Sequence, residues 1–182
     1  MHFYTMVRKV ANEELDRKSI AEYQRAPKLP LVVVLDNIRS MNNVGSVFRS
    51  SDAFCISRII LTGITARPPH REIQKTALGA TESVEWTYVK EVTEAVKQLQ
   101  EEEFEIIAVE QTEPVTSLDN LNVDPQKKYA LIFGNEVFGV GDEVVKMADR
   151  CVEIPQYGTK HSLNVAVSAG SVLWEFSRNM NK

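Results

Sequence analysis

Ile154-Pro155-Gln156-Tyr157-Gly158-Thr159-Lys160-His161-Ser162-Leu163-Asn164-Val165-Ala166-Val167-Ser168-Ala169-Gly170 is the stretch on which the reading of this 182-residue chain turns. A strand is expected to end at Pro155, a polar loop to follow, and Ser162 to cap a helix over residues 163–176. An ordinary surface helix has one apolar stripe, yet between Val165 and Trp174 the only polar side chains are Ser168 and Ser171. The helix should therefore be covered on nearly every side, by threading into the fold, by a subunit interface, or by both. Ala166, Ala169 and Gly170 offer small surfaces on which another backbone can lie close.

Upstream, strands and helices alternate. Residues 31–35 form a continuous apolar, β-branched run, as expected of a strand buried on both faces of a parallel sheet. Runs at 58–61, 84–89, 104–109, 129–133 and 151–154 bring the count to six strands. Between them, a helix should open near Asn42 or Asn43 with Val44, Val47, Phe48 and Ser51 or Phe54 toward the sheet. A second is expected over 73–78, a third on the Val92, Ala95, Val96, Leu99 stripe, and a fourth from Asp142 as cap to Ala148. This order predicts a doubly wound, mainly parallel six-stranded α/β sheet. Residues 114–126 show no clear periodicity.

Residues 1–28 read as a short basic N-terminal helical extension, with Asn12 as a candidate cap and Leu15, Ile20 and Tyr23 packing in part. The Pro27 to Pro30 breaker ends it, and residues 29–182 form the domain. The net charge of −4 conceals an asymmetry: up to Lys75 there are 12 Lys and Arg against 7 Asp and Glu, beyond it 9 against 18. A local phosphate-facing surface is compatible with that distribution, with Arg8 and Lys9 in the extension and Arg67 and Arg71 in a proline-rich loop as candidate RNA contacts. Solvated surface charge is the simpler account of the same residues. With no basic-then-apolar leader and no apolar run of bilayer length, the expectation is a cytoplasmic protein without a membrane partner. Cys55 and Cys151, far apart in apolar contexts, read as core residues of a reducing compartment.

The familiar chemistries find no footing. Gly139-Val140-Gly141 lacks the third glycine of a dinucleotide fingerprint, no G-K-S/T loop occurs, and His2, His70 and His161 are too scattered for a metal site. What remains are glycines and polar residues at successive strand ends: Glu110, Gly134 to Glu136, and the loop from Pro155 to Asn164. Open α/β sheets bind ligands at those ends, and glycine lets a ligand lie close to backbone. Gly45 and Arg49, four apart in the first helix, are expected to share a face where a substrate backbone can approach.

Three segments carry a resemblance. IPQYGTKHSLNVAVSAG, Asn43-Val44-Gly45-Ser46-Val47-Phe48-Arg49 and Leu131-Ile132-Phe133-Gly134-Asn135-Glu136-Val137-Phe138-Gly139 resemble, in the family's order, the three motifs of the SpoU (TrmH) family of the SPOUT superfamily. The resemblance covers the chain from about Leu31 to its end. It implies a C-terminal trefoil knot, a homodimer, and transfer of methyl from S-adenosylmethionine to a ribose 2′-hydroxyl of RNA. By the same resemblance, Gly134, Ile154 and Leu163 touch the cofactor, with Glu110 at a neighbouring strand end. Arg49 matches the catalytic arginine; because a guanidinium stays protonated in proteins, it is read here as clamping phosphate and stabilising charge on the 2′-oxygen. Asn43 would orient Arg49 or substrate, Ser162 and Asn164 would position ribose or cofactor, and Glu136 would hold the loops together. Helix capping and core packing are the structural alternatives at these positions. Gln156 stands where the family often has Met and is expected to alter the pocket. The small N-terminal flank favours tRNA over rRNA. A non-catalytic RNA-binding protein on the same scaffold, or an enzyme methylating an RNA base, are the competing readings.

Overall fold

The six apolar runs become six parallel strands, and a short seventh joins them. The computed structural model describes residues 7–181, so residues 1–6 of the expected extension lie outside the described residues. The strands are β1 (Leu29–Asp36), β2 (Ile56–Thr62), β3 (Glu85–Val89), β4 (Phe104–Val109), β5 (Thr116–Ser117), β6 (Lys128–Phe133) and β7 (Arg150–Glu153). Their order across the sheet is β3-β2-β1-β6-β4-β7-β5, every pairing parallel. The seventh strand, β5, lies in the stretch without periodicity; two residues are too few to show a period.

Seven α-helices accompany the strands among the described residues: α1 (Ile20–Arg25), α2 (Met41–Ala53), α3 (Arg71–Ala77), α4 (Ala80–Ser83), α5 (Val92–Glu101), α6 (Asp142–Met147) and α7 (Val165–Met180). Successive residues of β1 feed opposite cores, as strand geometry requires. Leu31, Val33 and Leu35 face Val44, Val47 and Phe48 of α2 and Val172, Leu173 and Phe176 of α7. Val32 and Val34 face Ala95, Val96 and Leu99 of α5 and Val144 of α6. The sheet is thus covered on both sides, and the stripe read for α5 is its buried face.

The helix starts shift from expectation. α2 is capped by Ser40, whose hydroxyl accepts from the Asn43 N–H, and so opens at Met41, beside the expected start near Asn42 or Asn43. Gly141, not Asp142, occupies the cap of α6. α7 is capped by Asn164, whose Oδ1 accepts from Ala166 N and Val167 N, and not by Ser162. Ser19 caps α1 in a capping box with Glu22, while Asn12 falls in a 3₁₀ turn, Asn12–Glu14. Tyr23, only 5% exposed, fastens α1 to the domain and donates to the Ser51 carbonyl; Leu15 and Ile20 remain exposed.

α7 is not covered all round. Val172, Leu173 and Phe176 are fully buried within the chain, but Val167 and Trp174 are 54% and 58% exposed, leaving one apolar flank in solvent. Cys55 and Cys151 are free and only partly buried. No helix among the described residues is long and apolar enough to cross a membrane.

Candidate functional site

A cleft of about 530 Å³ opens at the carboxyl ends of β4, β6 and β7, three neighbours in the sheet. Its size suits a small-molecule site, and its position is the one open α/β sheets use. Glu110 and Gln111 line it after β4, residues 134–139 after β6, and Ile154, Gln156 and residues 161–164 after β7.

The β6 loop folds back on itself. Asn135 N–H donates to the Gly139 carbonyl at 3.0 Å and Gly139 N–H returns the bond at 2.8 Å. A Cβ on Gly134 would sit 2.1 Å from that carbonyl oxygen, so only glycine allows the fold-back. Asn135 then locks the loop: its Nδ2 donates to the Asn37 carbonyl at 2.7 Å and its Oδ1 accepts from Val137 N and Phe138 N.

From this loop a hydrogen-bond chain joins segments far apart in sequence. Glu136 Oε2 accepts from Arg39 N at 2.9 Å, and Oε1 accepts from Ser40 N at 3.0 Å and Asn43 Nδ2 at 3.1 Å. Asn43 Oδ1 accepts from Asn164 Nδ2 at 3.1 Å, and Asn164 caps α7. Burial pushes the Glu136 carboxyl up, but the N–H donors of Arg39 and Ser40, its own backbone and Asn43 outweigh it and hold the group below its usual 4.5. Glu136 thus bonds the entry to α2, and Asn43 lies between it and Asn164.

Gly134, Glu136, Ile154, Ser162, Leu163, Asn164 and Glu110 all line the cleft. Both Glu110 carboxylate oxygens accept backbone N–H groups, Oε1 from Gln111 and Oε2 from Val140, each at 2.8 Å. Arg49 is exposed on α2 and does not line the cleft of its own chain. The expected open face beside Gly45 is filled: a Cβ there would meet Thr76 Oγ1 at 2.1 Å and the Ile73 carbonyl at 2.2 Å, because α3 crosses α2 at that glycine. Gly45 serves helix packing, not substrate approach. Among the basic candidates, the Arg67 guanidinium lies 4.4 Å over the Tyr88 ring and Arg71 opens α3 exposed. Arg8 pairs with Glu14 at 2.6 Å in solvent, and Lys9 is exposed. The sequence assigns no role to Asn135 or Gln111; their position just beyond strand ends is the available indication, but nothing local distinguishes a bonded amide from a solvated one.

Residues 30–174 match the family model described as the SpoU rRNA Methylase family. The chain is 31% identical over 172 residues to the tRNA (guanosine(18)-2′-O)-methyltransferase of Thermus thermophilus, covering 93% of this chain and 85% of the relative. It superposes on the crystal structure of the Aquifex aeolicus TrmH/SpoU tRNA modifying enzyme with a TM-score of 0.79 at 25% identity, covering 89% of this chain and 81% of that one. An AdoMet-bound rRNA methyltransferase from Sinorhizobium meliloti aligns with a TM-score of 0.75 at 28% identity, over 86% of this chain and 62% of the other.

Proposed function

The chain belongs to the SpoU rRNA methylase family, and from that premise we propose that it transfers methyl from S-adenosylmethionine to a ribose 2′-hydroxyl of RNA, with tRNA favoured over rRNA. The observation that carries this reading is the Glu136–Asn43–Asn164 chain, which ties the first motif segment to the two that line the cleft. The cleft fits the cofactor: it mixes apolar lining from Ile154 and Leu163 with polar groups of Glu110, Gln111 and Ser162, as an adenosine and an amino-acid tail require.

S-adenosylmethionine, when bound, supplies a methyl group made electrophilic by its sulfonium. Gly134, Ile154 and Leu163 would hold it, with Glu110 beside them in the cleft at the end of β4. A ribose hydroxyl is a poor nucleophile whose proton must pass to solvent water as the new O–C bond forms and the S–C bond breaks, so the protein's contribution is alignment and stabilisation of charge developing on oxygen. Arg49 clamps a substrate phosphate through paired N–H donors and presents positive charge to the 2′-oxygen. Asn43, Ser162 and Asn164 position the ribose beside it. Arg67, Arg71, Arg8 and Lys9 contact RNA phosphates outside the cleft.

The enzyme acts as a homodimer in the cytoplasm, its C-terminal segment threaded as the family's trefoil knot. Two features support the dimer: the exposed Val167 and Trp174 flank, and the absence of Arg49 from its own chain's cleft lining. Arg49 of one protomer then serves the cleft of its partner. Arg49→Ala should abolish methyl transfer to RNA while calorimetry still shows S-adenosylmethionine binding. Equal loss of both would reject the role given to Arg49.

A further inference from the structure

We propose that Gln111 is a positioning residue whose side-chain amide fixes one wall of the cleft and thereby sets cofactor affinity; the proposal rests on the S-adenosylmethionine reading above. That wall, residues 156–163, has neither strand nor helix. Among the described residues, one hydrogen bond joins it to the rest of the chain: Gln111 Nε2 donates to the His161 carbonyl at 3.0 Å. The segment is suspended between β7 and the Asn164 cap, and this tie falls beside Ser162 and Leu163, which line the cleft.

Gln111 is itself held firmly. Its N–H donates to Glu110 Oε1 at 2.8 Å, while Glu110 Oε2 accepts from Val140 N at 2.8 Å and Glu110 N–H donates to the Val152 carbonyl at 3.1 Å. A Cβ on Gly139 would sit 2.0 Å from Glu110 Oε2, so the β6 loop lies hard against this carboxylate. Two adjacent residues at the end of β4 thus secure both loop walls, Glu110 the 134–140 wall and Gln111 the 156–163 wall. Fixing a wall before the ligand arrives removes ordering cost from binding.

The test uses the full chain and three variants. Gln111→Met keeps the side chain's length without a donor, Gln111→Glu replaces the donor with a charged acceptor, and Gln111→Lys restores a donor. In Gln111→Met and Gln111→Glu, amides of 156–163 should exchange hydrogen faster without ligand. S-adenosylmethionine should bind about five-fold more weakly by calorimetry, the scale of one neutral hydrogen bond. Gln111→Lys should recover both, and the melting temperature should fall by no more than the roughly 2–4 °C that one lost hydrogen bond costs a chain of this size. Wild-type behaviour of Gln111→Met, or faster exchange spread across the whole chain with a lower melting temperature, would overturn the proposal. Failure of the cofactor reading would appear instead in the wild-type titration, as no binding of S-adenosylmethionine, and would remove this role with it.

Discussion

Glu136 offers one carboxylate to three donors, two of them the backbone N–H groups of Arg39 and Ser40 at the entry to α2. Its folded-state pKa lies below the ordinary 4.5, so its contribution to stability is full above that value and is lost as pH falls through the folded one. Glu136→Gln keeps only part of the acceptor capacity and should cost about 1 kcal/mol at pH 7, allowing for the site's exposure. Urea titrations should show the gap between wild type and Glu136→Gln narrowing once pH drops below the ordinary carboxylate range. A gap independent of pH would show that the charge is not what holds the loop. Asn43 was legible in the sequence as a functional or capping residue; its place between Glu136 and Asn164 was not, because its partners lie 93 and 121 residues away.

At the scale of elements, continuous apolar runs foretold the strands because a parallel sheet covered on both faces leaves no polar position to interrupt them. Helix starts are ambiguous in the sequence wherever two capping residues stand close together. Ser162 and Asn164 are both good caps, and backbone geometry selected Asn164. Gly45 misled for a related reason: a small residue signals close approach but not by what, and the approaching element is α3. Gly45→Ala should therefore destabilise the protein by about 1–3 kcal/mol through overpacking. Gly170→Ala should behave oppositely. The nearest atom to its added Cβ is Ser50 Oγ at 3.7 Å, an ordinary contact, and replacing a mid-helix glycine gains about 0.5–1 kcal/mol. Thermal melts of the two variants should move in opposite directions. A loss of stability in Gly170→Ala would show that α7 meets another surface at that point.

For the whole molecule, the sequence indicated a helix needing cover on nearly every side, from its own fold, a partner or both, and the fold narrows the uncovered part to Val167 and Trp174 by burying Val172, Leu173 and Phe176 internally. Sedimentation at micromolar concentration should report a dimer, and a Trp174→Glu variant should shift it toward monomer. Shared sites make a further prediction. Mixing inactive Arg49→Ala with a cleft-blocked Leu163→Arg chain should restore about a quarter of wild-type activity, because half of the statistical dimers carry one intact composite site. No recovery in verified heterodimers would place Arg49 at its own chain's cleft. The central claim, methyl transfer to a ribose oxygen of RNA, is tested most directly by incubating the wild-type chain with S-adenosylmethionine and unmodified tRNA, then digesting to nucleosides for mass spectrometry. A nucleoside with its added methyl on the ribose 2′-oxygen, absent when Arg49→Ala is used, is the predicted result; methyl on a base, or RNA bound and returned unmethylated across tRNA and rRNA substrates, would contradict it.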